Sequence, residues 1–239
     1  MNDALIQFQA LLPPALRHAP WLSGLALRQH DLPARSTLYR AGQPTRRLYF
    51  VAKGWVGSAV SLTDSAKPFT SLRIRGDVVG LNCLDGRKAV EDVSTVTGSE
   101  LISVPCSEFA EAMTQDPVLV GFVHGELVRD ISSLQLMNAI IGRLTAPDRL
   151  ACFLYIMMHR ARRTFHGRLD TLNLPLTQDE IGQFLGLTNV SVNRAFRRLE
   201  NEQLIRTGRQ SVTFVNEKRF AARLHFEEWS DLVDRIVDR

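Results

Sequence analysis

LTQDEIGQFLGLTNVSVNRAFRRLE, residues 176–200, contains two helix starts and one helix stop. Thr177 followed three residues later by Glu180 has the spacing of a capping box, in which side chain and backbone satisfy each other's orphan donors. Ile181, Phe184 and Leu185 then recur at helical spacing. Gly186 predicts the stop, because a residue without Cβ takes the left-handed conformation cheaply. Leu187 fills the turn and Thr188 caps a second helix. Val192, Ala195, Phe196 and Leu199 share one face of it, and Asn189, Val190, Asn193, Arg194 and Arg197 share the other. Two short helices joined by a glycine turn, the second apolar inside and amide- or guanidinium-bearing outside, describe a helix-turn-helix with 189–198 as its recognition helix.

A helical hairpin that merely packs would also show caps and a solvated arginine face. The residues that follow argue against it. Gln203-Leu204-Ile205 and Ser211–Val215 read as strands around the turn Thr207–Gln210, and a β-hairpin directly after a helix-turn-helix is a wing. From Thr145 to Val215 the chain has ten Arg, no Lys and six acidic residues, so this third carries the whole net charge of +4. A basic module beside a neutral one predicts that the basic part meets a polyanion.

At 239 residues the chain is long enough for two modest domains. Cys83, Cys106 and Cys152 are far apart with no Cys-x-x-Cys pair, which predicts reduced core thiols and neither a local zinc site nor a cysteine-ligated cluster of the usual spacing. No metal site and no cofactor is expected. The N-terminus lacks a basic-then-apolar signal pattern, and the longest apolar run, Leu150–Met158, is too short to span a bilayer. A cytoplasmic protein with no membrane partner is the expectation.

Residues 1 to about 30 read as helical, interrupted at Pro13-Pro14 and Pro20; from Leu32 the period changes. Thr37–Tyr39, Leu48–Val51, Trp55–Val60, Thr70–Ile74, Val93–Val96 and Glu100–Val104 are short, rich in β-branched and aromatic residues, and punctuated by Gly42, Gly54, Gly76-Asp77, Gly86 and Gly98. That spacing predicts a sandwich or jelly-roll barrel. Pro105–Met113 reads as a short helix, and Asp116-Pro117 opens a long one. In the long helix Val120, Leu127, Leu134 and Ile141 recur every seven residues beside a second row, His124, Ile131 and Asn138. Leu at d and one polar Asn at a is the pattern of a parallel two-stranded coiled coil in a fixed register. A helix packed on its own domain is the competing reading. Arg149 to about Phe165 is a further helix, apolar at Leu150, Phe153, Leu154, Met157 and Met158; its Arg160, Arg162 and Arg163 form a basic run that reads as a solvated face, with a hold on phosphates as the competing reading. A closing amphipathic helix, 217–239, carries Phe220, Leu224, Trp229, Leu232 and Ile236 with no assigned task.

β-roll, long helix and winged helix-turn-helix in this order resemble the Crp/Fnr superfamily of bacterial transcription regulators. Arg149-Leu150-Ala151, Leu174–Gln178, Glu180-Ile181-Gly182, Leu185–Thr188, Val192–Arg194 and Arg198–Glu200 carry the resemblance, with Gly42, Leu48–Val51, Gly54 and Gly76-Asp77-x-x-Gly80 supporting it in the front half. The resemblance implies an α+β chain: a double-stranded β-helix (jelly-roll) sensory domain over 1–115, a dimerisation helix over 116–144, and a winged helix-turn-helix over 145–239. It implies phosphate contacts from Thr177 and Thr188 and a guanine contact from Arg194, whose planar fork suits that edge. Relatives commonly have Glu at the position of Val190, which here can only offer apolar contact, such as to a thymine methyl; Asn189 or Asn193 would then read adenine. Cyclic-nucleotide-binding relatives follow the position of Gly80 with a Glu and, about ten residues on, place an Arg-Ser or Arg-Thr pair for the phosphate. This chain has Leu81-Asn82 and then Val90-Glu91-Asp92-Val93, where a phosphate would be poorly compensated.

The expectation is therefore a homodimeric, non-enzymatic regulator that reads a palindromic operator in double-stranded DNA and is not controlled by cAMP. Its DNA-contacting set is Thr177, Gln178, Thr188, Asn189, Val190, Ser191, Asn193, Arg194, Arg197 and Arg209. Val120, His124, Leu127, Ile131, Leu134, Asn138 and Ile141 form its dimer seam. Gly80, Leu81, Asn82 and Arg87 mark an effector pocket for an unidentified small molecule, and RNA polymerase is a partner if the protein activates. The rivals are a regulator responsive to a cyclic nucleotide or to haem, with His or Cys83 as ligand, and a ligand-binding module whose helix-turn-helix serves protein contacts. A DNA-modifying enzyme is disfavoured, since none of the usual catalytic motifs occurs.

Overall fold

The computed structural model describes residues 3–61, 68–164 and 169–223. It divides into two compact units, one ending at Val128 and the other beginning at Arg129.

In the first unit, helix α1 (Asp3–Leu11) and two 3-10 turns, Pro14–Leu16 and Pro20–Gly24, precede the strands. Both turns open on the prolines that interrupt the helical pattern, as expected of a residue with fixed φ and no N–H. Among the described residues eight strands follow: β1 (Arg28–Leu32), β2 (Thr37–Tyr39), β3 (Arg47–Lys53), β4 (Val56–Ala59), β5 (Phe69–Arg73), β6 (Val78–Val79), β7 (Asp92–Thr95) and β8 (Ser99–Pro105). They form two antiparallel sheets, ordered β1-β8-β3-β6 and β2-β7-β4-β5. The two-sheet roll follows from side chains that alternate along each strand. On β3, Val51 joins Tyr39, Val56, Val79, Cys83, Val93 and Leu101 between the sheets. Leu48 and Phe50 point the other way, into a cluster with Phe8, Leu12, Phe109, Leu119 and Val123. There the rings of Phe8 and Phe50 meet edge to face at 4.8 Å. Helix α2 (Cys106–Gln115) packs on this side, and Trp21 donates to Asp116 at 2.9 Å, tying the N-terminal segment to the start of α3 (Pro117–Arg143).

Two strands of this unit escape the sequence pattern. β1 begins at Arg28, four residues before the expected change of period at Leu32. Its residues, RQHDL, are mostly polar because among the described residues it is an edge strand, paired with β8 on one side. β6 has two residues, too few to show alternation.

The second unit takes the remainder of α3, then α4 (Ala146–Thr164), β9 (Thr171–Asn173), α5 (Gln178–Leu185), α6 (Asn189–Asn201), β10 (Ile205–Gly208), β11 (Ser211–Phe214) and α7 (Glu217–Arg223). Leu150, Phe153, Leu154, Met157 and Met158 of α4 are all buried, as their spacing predicts. The expected solvated face of α4 needs correction at Arg162, which pairs with both carboxylate oxygens of Glu217 and donates Nε–H to the Leu169 carbonyl at 2.8 Å. Phe220 is fully buried against Phe214, with ring centroids 4.8 Å apart. The side chain of Arg163, and Leu224, Trp229, Leu232 and Ile236 of the expected closing helix, lie outside the described residues. Among the described residues, no helix is long and apolar enough to cross a membrane.

Candidate nucleic-acid interface

One reciprocal cap and one single cap build the helix-turn-helix. The Thr177 hydroxyl accepts from the Glu180 amide at 3.2 Å, while the Glu180 carboxylate accepts from the Thr177 amide at 2.8 Å, which completes the capping box and starts α5. Gly186 ends it in the left-handed region at φ 63°. The Leu187 amide then donates to the Gly182 carbonyl at 2.8 Å. Gly182 has no side chain because there is no room for one: a Cβ there would lie 2.6 Å from the Leu187 carbonyl oxygen. Thr188 accepts from the Ser191 amide at 3.2 Å and opens α6.

α6 buries Val192, Ala195, Phe196 and Leu199, leaving the other face outward. Asn189, Val190, Arg194 and Arg197 are exposed, Val190 by 59% despite being apolar. Among the described residues, neither Arg194 nor Arg197 has a carboxylate partner, whereas Arg198 is paired with Glu202 at 3.0 Å. Ser191 and Asn193 are half-buried, and Asn193 Nδ2 donates to Gln178 Oε1 at 3.3 Å. α6 runs to Asn201, three residues beyond the recognition segment 189–198. Leu199 inside and the Arg198–Glu202 pair outside support the extra turn.

The wing is real but its register differs from expectation. Gln203 stands in the left-handed region at φ 56°, as part of the turn that leaves α6, so the first strand starts at Ile205. Thr207 and Gly208 belong to that strand and pair with Val212 and Ser211, which shrinks the tip to Arg209-Gln210 with Gln210 at φ 58°. Arg209 is thus exposed at the tip, as its assignment requires. A third strand, β9, pairs with β11 through Leu172 and Val212; three residues with one apolar position left no legible signal. Glu200 of α6 accepts from the Thr207 amide at 3.1 Å and from its hydroxyl at 2.5 Å, which ties the wing to the recognition helix. At the far end, Arg223 bridges Glu202 and Asp148, the latter at 2.8 Å.

The seam positions of α3 fall on its outward side. Val120, His124, Leu127, Ile131, Leu134 and Asn138 are exposed in the protomer, and Ile141 is half-buried. Leu119 and Val123 in the first unit, and Leu136 and Ile140 in the second, supply the inward side.

The effector positions are less coherent. Gly80 takes φ 94° and leads into a 3-10 turn, Leu81–Cys83. Leu81 is half-buried and Asn82 exposed, and Arg87 is exposed and paired with Asp85 at 2.7 Å. The Cys83 thiol is buried between the sheets and donates to Asn82 Oδ1 at 3.4 Å. Burial raises all three thiols, Cys106 to about 11 and Cys152 to about 12, as expected of unreactive core cysteines.

Comparison with known proteins divides the chain in the same order. Residues 29–116 match the cyclic nucleotide-binding domain family and residues 148–223 the Crp-like helix-turn-helix domain family. The chain is 27% identical to the transcriptional regulatory protein btr of Bordetella pertussis, over 75% of this chain and 74% of that protein. It is 23% identical to the fumarate and nitrate reduction regulatory protein of Yersinia pestis, over 84% and 80% respectively. The solved structure of FixK2 from Bradyrhizobium japonicum superposes with a TM-score of 0.74 at 23% identity, covering 83% of this chain and 97% of that one.

Proposed function

The chain belongs to the Crp/Fnr superfamily of DNA-binding transcription regulators, and from that premise we propose that it acts as a homodimer reading a palindromic operator through α6. The observation that carries this reading is the outward face of α6. Asn189, Val190, Arg194 and Arg197 stand exposed at helical spacing on a helix whose other face is buried. Thr177, Gln178, Thr188 and Ser191 lie at the N-terminal ends of α5 and α6, where unpaired amides and the helix dipole favour phosphate. Arg209 at the wing tip would add a backbone contact.

Dimerisation is supported by α3. Six seam positions are exposed in the protomer, among them four large apolar residues, Val120, Leu127, Ile131 and Leu134, exposed by 40–56%. A second copy of the same helix would cover them and bring two recognition helices to one duplex, as an inverted repeat with half-sites one turn apart requires. RNA polymerase enters as a partner where the regulator activates.

Cyclic AMP does not fit as the controlling ligand. A cyclic phosphate needs compensating cations beside it; Arg87 is exposed and already paired with Asp85, and the exposed Lys88 stands against Glu91 and Asp92 in the same stretch. Tyr39, Val51, Cys83, Val93 and Leu101 pack between the sheets. Control by another small molecule, or by the amount of protein, agrees with these side chains.

Selection of bound sequences from random duplex DNA by the purified chain, without added ligand, tests the reading. Enrichment of one inverted repeat is expected. Weak, salt-sensitive binding without enrichment, persisting when cell extract is added, would refute it.

A further inference from the structure

Asn193 has the residue type and helical position of a base reader, but its contacts give it another role. Its Nδ2 donates to Gln178 Oε1 at 3.3 Å, reaching from α6 to the first residue of α5, and it is half-buried. Asn189, one turn earlier on the same helix, is exposed. We propose that Asn193 and Gln178 form a positioning pair that sets the recognition helix against the phosphate-binding end of α5, and that Asn189, Val190 and Arg194 alone read bases. This rests on the DNA-reading function proposed above.

The polarity of the pair supports this division. Reading adenine takes both atoms of an amide, the oxygen accepting from N6–H2 and the nitrogen donating to N7. The bond to Gln178 engages one of the two Asn193 N–H groups and fixes the plane of its amide against α5, while the exposed Asn189 amide can turn to that edge. Gln178, with its oxygen occupied by Asn193, is left with an N–H group to offer, and a donor is what a phosphate oxygen takes. It sits beside the Thr177 cap at the positive end of α5. The pair thus joins a backbone contact to the base-reading face, so phosphate binding and base register are set together.

Binding of the wild-type chain and of Asn193→Ala, Gln178→Ala, their double variant and Asn189→Ala to every single-base variant of the selected operator tests the assignment. Asn193→Ala and Gln178→Ala are each expected to weaken binding by a similar factor, roughly threefold to tenfold, at all sequences. Base preference should be unchanged at every position, and the double variant should be no weaker than the weaker single one. Asn189→Ala should flatten one adenine preference. Loss of preference at a single position in Asn193→Ala, or fully additive effects in the double variant, would overturn the pair. A wild-type chain that enriches no sequence would instead remove the DNA-reading function beneath it.

Discussion

Arg194 and Val190 sit four residues apart on α6, one turn above the other, both exposed. Their chemistry divides the readout. Among the described residues the Arg194 guanidinium has no carboxylate partner and can place two donors on guanine O6 and N7, so Arg194→Ala should cost about 1–3 kcal/mol of specific binding, measured by titration against the selected operator and a scrambled duplex. Equal affinity of variant and wild type for the operator would remove Arg194 from the readout. Val190 has no polar atom to offer, and the apolar feature of the major groove is the thymine methyl. Val190→Glu introduces an acceptor for cytosine N4–H2 and should move the preference at one position from T·A to C·G while leaving the guanine under Arg194 unchanged. A variant that loses affinity with no change of preference would show that Val190 is outside the groove.

At the scale of the element, the two helices hold their angle because backbone meets backbone at Gly182. Alanine has the higher helix propensity by about 1 kcal/mol, so Gly182→Ala would stabilise an isolated α5. Here the added Cβ would lie 2.6 Å from the Leu187 carbonyl oxygen, and that oxygen belongs to the turn itself. Overpacking of this kind costs about 1–3 kcal/mol, so the net effect should be destabilising, read as a lower urea midpoint and as weaker operator binding. An unchanged or raised midpoint would mean that the turn yields without loss. The wing has a comparable tie in Glu200, whose carboxylate takes two hydrogen bonds from Thr207. Recognition helix, turn and wing are thus connected through backbone groups and short polar side chains.

For the whole molecule the decisive element is α3, whose first half belongs to one compact unit and whose second half belongs to the other. Its exposed row is chemically unlike a solvated face. Replacing two outward residues with charges, Leu127→Glu together with Leu134→Glu, leaves the protomer core untouched because both are exposed by 40% or more. Sedimentation equilibrium should show a dimer for the wild type and a monomer for the double variant, with operator binding lost alongside. A wild-type monomer, or a variant that stays dimeric, would place the interface elsewhere.

The local features were legible in the residues themselves. A capping box at Thr177 and Glu180, a left-handed stop at Gly186, a cap at Thr188 and an apolar stripe through Leu199 are set by interactions within a few residues, and all are present. The alternation of β3 and the heptad of α3 are likewise written along the chain. Other features depended on partners distant in sequence. β1 is a strand because β8 lies beside it, β9 because β11 does, and neither carries enough apolar pattern to say so alone. The wing register slid because Gln203 turns the chain as α6 ends. Arg162 left the solvated face because Glu217, fifty-five residues on, came within reach, and Asn193 left the set of free amides because Gln178 did. The sequence determined which helices, caps and faces form, since their energies are local. Tertiary structure decided which polar side chains remain free to meet DNA, because a hydrogen-bonding group is available only when no other part of the chain has reached it first.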